Sequence, residues 1–178
     1  MMLAPKNIAL IGFMAAGKTH VGRRLGERTG MPFVDIDLLI MELEQNTVEE
    51  IFRVKGEPYF RGIESRLLGE LCRGSGQIIG CGGGTILAEE NRRTLAQRCE
   101  TVWLRVSEAQ VLRRLEDPDA PRRPLLEGLD ATRVVHDLLQ AREPYYAQAD
   151  HVVETDGRTV EAVAEEIVVR LGLAAADR

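Results

Sequence analysis

The chain alternates between short apolar runs and longer amphipathic stretches. Runs bounded by turn or polar residues at about 7–11, 33–36, 77–81, 101–105 and 151–154 have the length and composition of buried strands. Between them, apolar residues recur at helical spacing. Val21 and Leu25 share one face of a helix expected over 18–28 and ended by Gly30, and Val163, Ile167 and Leu171 share one face of a helix over 160–171. Thr47-Val48-Glu49-Glu50 and Ser107-Glu108-Ala109-Gln110 read as capping boxes, in which a side-chain oxygen satisfies the first free N–H groups of a helix. Gly56 should end the first of these helices, and Pro58 should open another with Phe60, Ile63 and Leu67 on its apolar face. A further helix over 131–139 runs toward Pro144, which should kink or restart it. This alternation predicts an α/β fold, a three-layer α/β/α arrangement around a five-stranded parallel sheet, with ligands bound at the carboxyl ends of the strands.

Composition narrows the class. At 178 residues the chain suits one domain over 1–178, and with 4% aromatic residues its core must rest on Leu, Ile, Val and Ala. A net charge of −5 argues against nonspecific nucleic-acid binding, which needs a basic surface to release counterions. Pro5, Lys6 and Asn7 interrupt the apolar residues at the N-terminus, and no later stretch is long enough to cross a bilayer, so a cytoplasmic protein without membrane association is expected. Cys72, Cys81 and Cys99 form no C-x-x-C pair and do not cluster with His20, His136 or His151, which predicts free thiols and no permanent metal.

The chemistry starts at Gly12-Phe13-Met14-Ala15-Ala16-Gly17-Lys18-Thr19, between the first strand and the first helix. The pattern G-x-x-x-x-G-K-[ST] turns backbone N–H groups inward around phosphate oxygens, adds a lysine charge and places a hydroxyl where Mg²⁺ would sit. A glycine-rich turn that merely packs is the plainer alternative, and the strand before and helix after favour the phosphate reading. Asp35-Ile36-Asp37 follows at the end of the second strand, where period-two geometry would point both carboxylates to the same side. In the 56–64 stretch, Arg61 and Glu64 sit at i, i+3 and could pair, which leaves open a plain solvated helix charge for Arg61. Gly82-Gly83-Gly84 suits close approach of a ligand to the backbone, or a tight bend. The 117–128 stretch loses periodicity and carries Arg122 and Arg123 among prolines, as a mobile lid or an ordinary surface loop would.

Taken in order, the phosphate loop, Asp35-Ile36-Asp37, Gly-Glu-x-x-Phe-Arg-x-x-Glu, the triple glycine, Arg123-Pro124-Leu125-Leu126 and Arg142-x-Pro-x-Tyr resemble the shikimate kinase family. The resemblance spans about 7–170 and lies in the ordered set. It implies a nucleoside-monophosphate-kinase-like P-loop fold with a helical substrate-binding region at about 35–64 and a lid at 117–128. It also implies transfer of the ATP γ-phosphoryl group to the 3-hydroxyl of shikimate, with ATP and Mg²⁺, in aromatic amino-acid biosynthesis. By the same resemblance Gly12, Ala15, Ala16, Gly17, Lys18, Thr19 and His20 hold the nucleotide, Lys18 on its β/γ-phosphates, and Thr19 and Asp35 serve the metal. Asp37 matches the substrate-side general base, Arg61 and Arg142 the residues that grip the substrate carboxylate, and Gly83 a backbone contact. Arg123 matches the lid arginine that stabilises transferring charge, and Arg158 or Arg114 flanks the adenine. A monomer is expected.

Two positions depart from the family pattern. Ala15 stands where glycine is usual, and Thr19-His20 where Ser-Thr is common. Thr19 keeps the hydroxyl, whereas Ala15 adds a β-carbon where a glycine-like dihedral would strain it. Two other readings remain: the same chemistry on an aminoshikimate, quinate or gluconate-like acid, or a nucleotide-dependent regulatory module that has kept the fold and lost catalysis.

Overall fold

The computed structural model describes residues 6–117, 130–174 and 176. All five expected strands form: β1 (Asn7–Ile11), β2 (Phe33–Asp35), β3 (Ile78–Gly80), β4 (Cys99–Arg105) and β5 (His151–Glu154). They join one sheet in the order β2-β3-β1-β4-β5, with every neighbouring pair parallel. β1 is buried along its whole length, as a central parallel strand covered on both faces must be. The chain leaves β1 for the β2 edge, returns to β3 beside β1, and then crosses to β4 on the other side. That change of direction opens a crevice at the carboxyl end of β1, where open α/β sheets bind ligands.

The helices are α1 (Lys18–Thr29), α2 (Ile36–Glu44), α3 (Val48–Lys55), α4 (Glu57–Leu71), α5 (Glu89–Arg98), α6 (Glu108–Leu115), α7 (Ala131–Tyr146) and α8 (Val160–Leu171), with a 3₁₀ turn at Thr85–Leu87. Both capping boxes form their first bond: the Thr47 hydroxyl accepts from Glu50 N–H and the Ser107 hydroxyl from Gln110 N–H, each at 3.2 Å. Gly30 ends α1 at φ 72, as a left-handed C-cap. Apolar faces turn inward as the spacing predicts, with Val21, Leu25, Phe60, Ile63, Leu67, Val163 and Ile167 all buried.

Three local expectations give way. Strand β2 stops at Asp35, and residue 36 begins α2, because the Asp35 side chain caps that helix by accepting from Leu38 N–H. Helix α7 continues through Pro144 rather than restarting there. Pro144 falls in the last turn of α7, so its missing N–H removes only one bond near the end of the helix. Helix α5 was not foreseen, since only Asn91 and Leu95 of its ten residues are buried and the stretch shows little periodicity. The three cysteines are buried free thiols, as expected. Among the described residues, no helix is long and apolar enough to cross a membrane.

Candidate active site

The stretch 12–19 forms the turn between β1 and α1. Gly12 has φ 146, and a β-carbon there would lie 2.6 Å from the Leu104 carbonyl oxygen, so backbone from β4 leaves room for hydrogen only. Ala16 N–H donates to Phe13 O at 3.2 Å, closing a turn whose third residue, Ala15, has φ 59. A turn with positive φ at the third position alone is of the type that favours glycine. The left-handed conformation costs an alanine about 1–2 kcal/mol. Arg114 Nη1, from the last turn of α6, donates to the Ala15 carbonyl at 2.6 Å. A hydrogen bond to a charged group contributes about 1.5–3 kcal/mol, enough to balance the strain. Burial holds the Arg114 pKa below its ordinary value, with Asp156 opposing and Arg113 adding to the shift.

Gly17 starts α1 without a side-chain cap, and no acidic residue lies in the first turn, so the helix presents its N–H groups and positive dipole end to the crevice. Lys18 Nζ donates to Gly12 O and Phe13 O, each at 2.8 Å, which sets the ammonium over the loop. Thr19 Oγ1 donates to Asp35 Oδ2 at 2.6 Å. This hydroxyl and carboxylate are hard oxygen donors beside a phosphate cradle, the chemistry Mg²⁺ prefers. Among the described residues no group of three or more His, Cys, Asp or Glu could hold a metal ion on its own, so Thr19 and Asp35 suit a cation that also takes phosphate and water oxygens.

The acidic pair does not have the expected strand geometry. Asp35 closes a strand and Asp37 lies in the first turn of α2, so strand alternation does not bring them together. The helix start does, and both line one cavity of about 900 Å³ with Met14 to His20 of the loop.

The triple glycine is the hub of the opposite side, and for steric reasons, since none of its φ angles is positive. A β-carbon at Gly82 would lie 2.4 Å from Glu64 Oε1 and 2.8 Å from Asp37 Oδ1. At Gly83 it would press on Met14 N at 3.2 Å, and at Gly84 it would strike the Arg61 guanidinium at 2.4 Å. Bare backbone therefore lets Asp37, Glu64, Arg61 and the phosphate loop crowd one place.

Arg61 is not a solvated helix charge. It pairs with buried Glu64 at 2.8 Å and with Glu57 at 3.1 Å, and lies over the Phe52 and Phe60 rings. Burial pulls its pKa down, but the charges and hydrogen bonds of Glu64 and Glu57 outweigh it and the net shift is upward. Glu64 also accepts from the Thr85 hydroxyl at 2.5 Å.

Arg142 differs. It is 4% exposed, donates to Gly83 O at 3.1 Å and lies over the Phe13 ring, while its buried Nε has no partner among the described residues. Tyr146, one turn further along α7, donates its hydroxyl to the same Gly83 oxygen at 2.5 Å and stacks on Trp103. Burial pushes the Tyr146 pKa up to about 12, with Arg142 opposing, so the phenol stays a donor at ordinary pH. Sequence reasoning missed Tyr146 as a site residue, although its i, i+4 spacing from Arg142 put both on one helix face.

The remaining expected residues divide. Lys18, Thr19, Asp35, Asp37 and Gly83 line the large cavity, whereas Arg61 and Arg142 do not and meet it through the glycine loop. His20 is exposed at its rim. Arg158 lines it too, but donates to Glu154 O and Ala162 O and pairs with Glu166, which ties it to α8. Arg123 and positions 118–128 of the expected lid lie outside the described residues.

The family model described as shikimate kinase matches residues 14–172. A shikimate kinase from Symbiobacterium thermophilum is 41% identical over 166 residues, covering 93% of this chain and 95% of that protein. The solved shikimate kinase from Acinetobacter baumannii, in complex with shikimate, superposes with a TM-score of 0.88 at 35% identity, covering 94% of each chain. That from Bacteroides thetaiotaomicron gives 0.85 at 30% identity, covering 94% of this chain and 99% of the other.

Proposed function

The chain belongs to the shikimate kinase family, and from that premise we propose that it transfers the γ-phosphoryl group of ATP to the 3-hydroxyl of shikimate, giving shikimate 3-phosphate and ADP. The observation that carries the acceptor half is Arg142. A guanidinium buried without a carboxylate partner among the described residues is costly, and an anionic substrate arriving beside Gly83 would repay that cost. The fork geometry of arginine suits a planar carboxylate. Arg61, already neutralised by Glu57 and Glu64, would add a second donor at the edge of the same loop.

On the donor side, the uncapped start of α1 and the Lys18 ammonium would bind the β- and γ-phosphates. Thr19 and Asp35 would hold Mg²⁺, which supplies positive charge to the phosphoryl oxygens. Asp37 lies between the two halves, against Gly82, and would accept the hydroxyl hydrogen bond and take its proton as transfer proceeds. Phosphoryl transfer needs little covalent help, so holding the two substrates in line is most of the work.

The test is ADP release with Mg·ATP, with and without shikimate. Turnover that depends on shikimate is expected. A folded protein that binds ATP but shows no such turnover sinks the proposal, and a clear preference in kcat/KM for quinate or gluconate moves the acceptor to another acid. Asp37→Asn should lower kcat by about 10²–10⁴ while leaving ATP binding intact. Retained activity in that variant removes Asp37 as the base.

A further inference from the structure

The phosphate loop contains a backbone conformation that its own residue does not favour. Two non-glycine residues among those described have positive φ, Ala15 and Gln45. Gln45 is the C-cap of α2, where the left-handed conformation is routine. Ala15 has no such excuse, and it sits at the third position of the turn that aims the loop. The Arg114 guanidinium reaches its carbonyl from 99 residues away. That oxygen belongs to the peptide whose N–H, from Ala16, closes the turn on Phe13 O. Holding one end of the peptide plane orients the other.

We propose that Arg114 is a positioning residue for the phosphate loop: by gripping the Ala15 carbonyl it keeps the loop in the turn that receives phosphoryl groups. The proposal rests on a nucleoside triphosphate being the donor. It differs from a role on the base, which the place of Arg114 on the cavity wall would also permit. Arg114 stands at the end of α6, which Ser107 caps at its start, so the grip comes from a fixed helix and not from the loop itself.

The two roles separate with a ligand that has phosphates and no base. Binding of Mg·ATP and of Mg·tripolyphosphate is measured by calorimetry for the wild-type chain, Arg114→Met, Ala15→Gly and the double variant. Arg114→Met should weaken both ligands by a similar factor, about tenfold, the loss of one charge-assisted hydrogen bond. In the Ala15→Gly background the same change should cost less than about threefold, because glycine adopts the turn without being held. Unchanged tripolyphosphate binding in Arg114→Met assigns the residue to the base and overturns the proposal. An equal penalty in both backgrounds reduces it to a general charge effect and overturns it too. A ligand-free readout covers poor binders: amide exchange at Ala16 should speed up in Arg114→Met, and no change there counts against the grip. Failure of the wild-type chain to bind ATP at all would instead sink the assignment of the donor.

Discussion

The two halves of the site are built from different materials. The donor half is backbone from one contiguous stretch, 12–19, steadied by Lys18, Thr19 and the distant Arg114. The acceptor half is side chains from α2, α4 and α7 crowded onto three glycines, with the buried Arg61–Glu64 pair in α4 and Arg142 of α7 donating to the Gly83 carbonyl. A backbone cradle is specified by local sequence and tolerates a substitution such as Ala15 when one neighbour compensates. A cluster of buried charges tolerates little, since removing one partner leaves the other desolvated and unpaired.

The sharpest way to break this contrast is Glu64→Ala. Glu64 is fully buried and holds both Arg61 and Thr85, so its loss should cost roughly 3 kcal/mol, the lower end for a buried pair because Glu57 still faces Arg61. In a chain of this size that lowers Tm by roughly 6–12 °C, with KM for the acceptor rising more than KM for ATP. Equal rises in both would mean that the halves are not organised separately.

Tyr146→Phe is a milder probe. It removes one of the two donors on Gly83 O and keeps the stack on Trp103. A loss of about 1 kcal/mol is expected, read as a roughly fivefold rise in acceptor KM with kcat nearly unchanged. A variant with lower Tm but unaltered KM would make Tyr146 a packing residue only.

The smallest effect should come from outside both halves. The hydrogen bond to Glu108 raises the His136 pKa above its ordinary value of about 6.5. The folded state therefore binds the proton more tightly, and the contribution is complete below about pH 6.5 and lost as pH rises through the folded pKa. Thermal unfolding of His136→Ala against wild type should differ most near pH 6 and converge on the alkaline side, with kinetics unaffected. A difference that grew with pH would refute the pairing.

Legibility in the sequence followed the same division. The strands, the phosphate loop and both capping boxes were readable because each depends on neighbours within a few residues. Asp35-Ile36-Asp37 was read as strand, with both carboxylates on the same side by strand alternation; the two acids do line one cavity, but through the start of α2, because the Asp35 cap acts three residues ahead. Helix α5 escaped because only two of its ten residues are buried, too few to set a helical period. The reason for three successive glycines was hidden altogether: it lies in side chains from α2 and α4 whose approach no local pattern records.

What the sequence by itself determined is the α/β layering, the phosphate loop and the residue types available to an acceptor site, because periodicity, turn chemistry and caps are short-range. Tertiary structure decided which charges are paired and which are not. Arg61 is neutralised by two glutamates while Arg142 is buried with its Nε unpartnered among the described residues, and Ala15 is held in the conformation the sequence marked as strained. These outcomes depend on burial and on contacts between residues distant in the chain, such as Ala15 with Arg114 and Gly83 with Tyr146, and burial is what turns an ordinary surface charge into one that needs a partner.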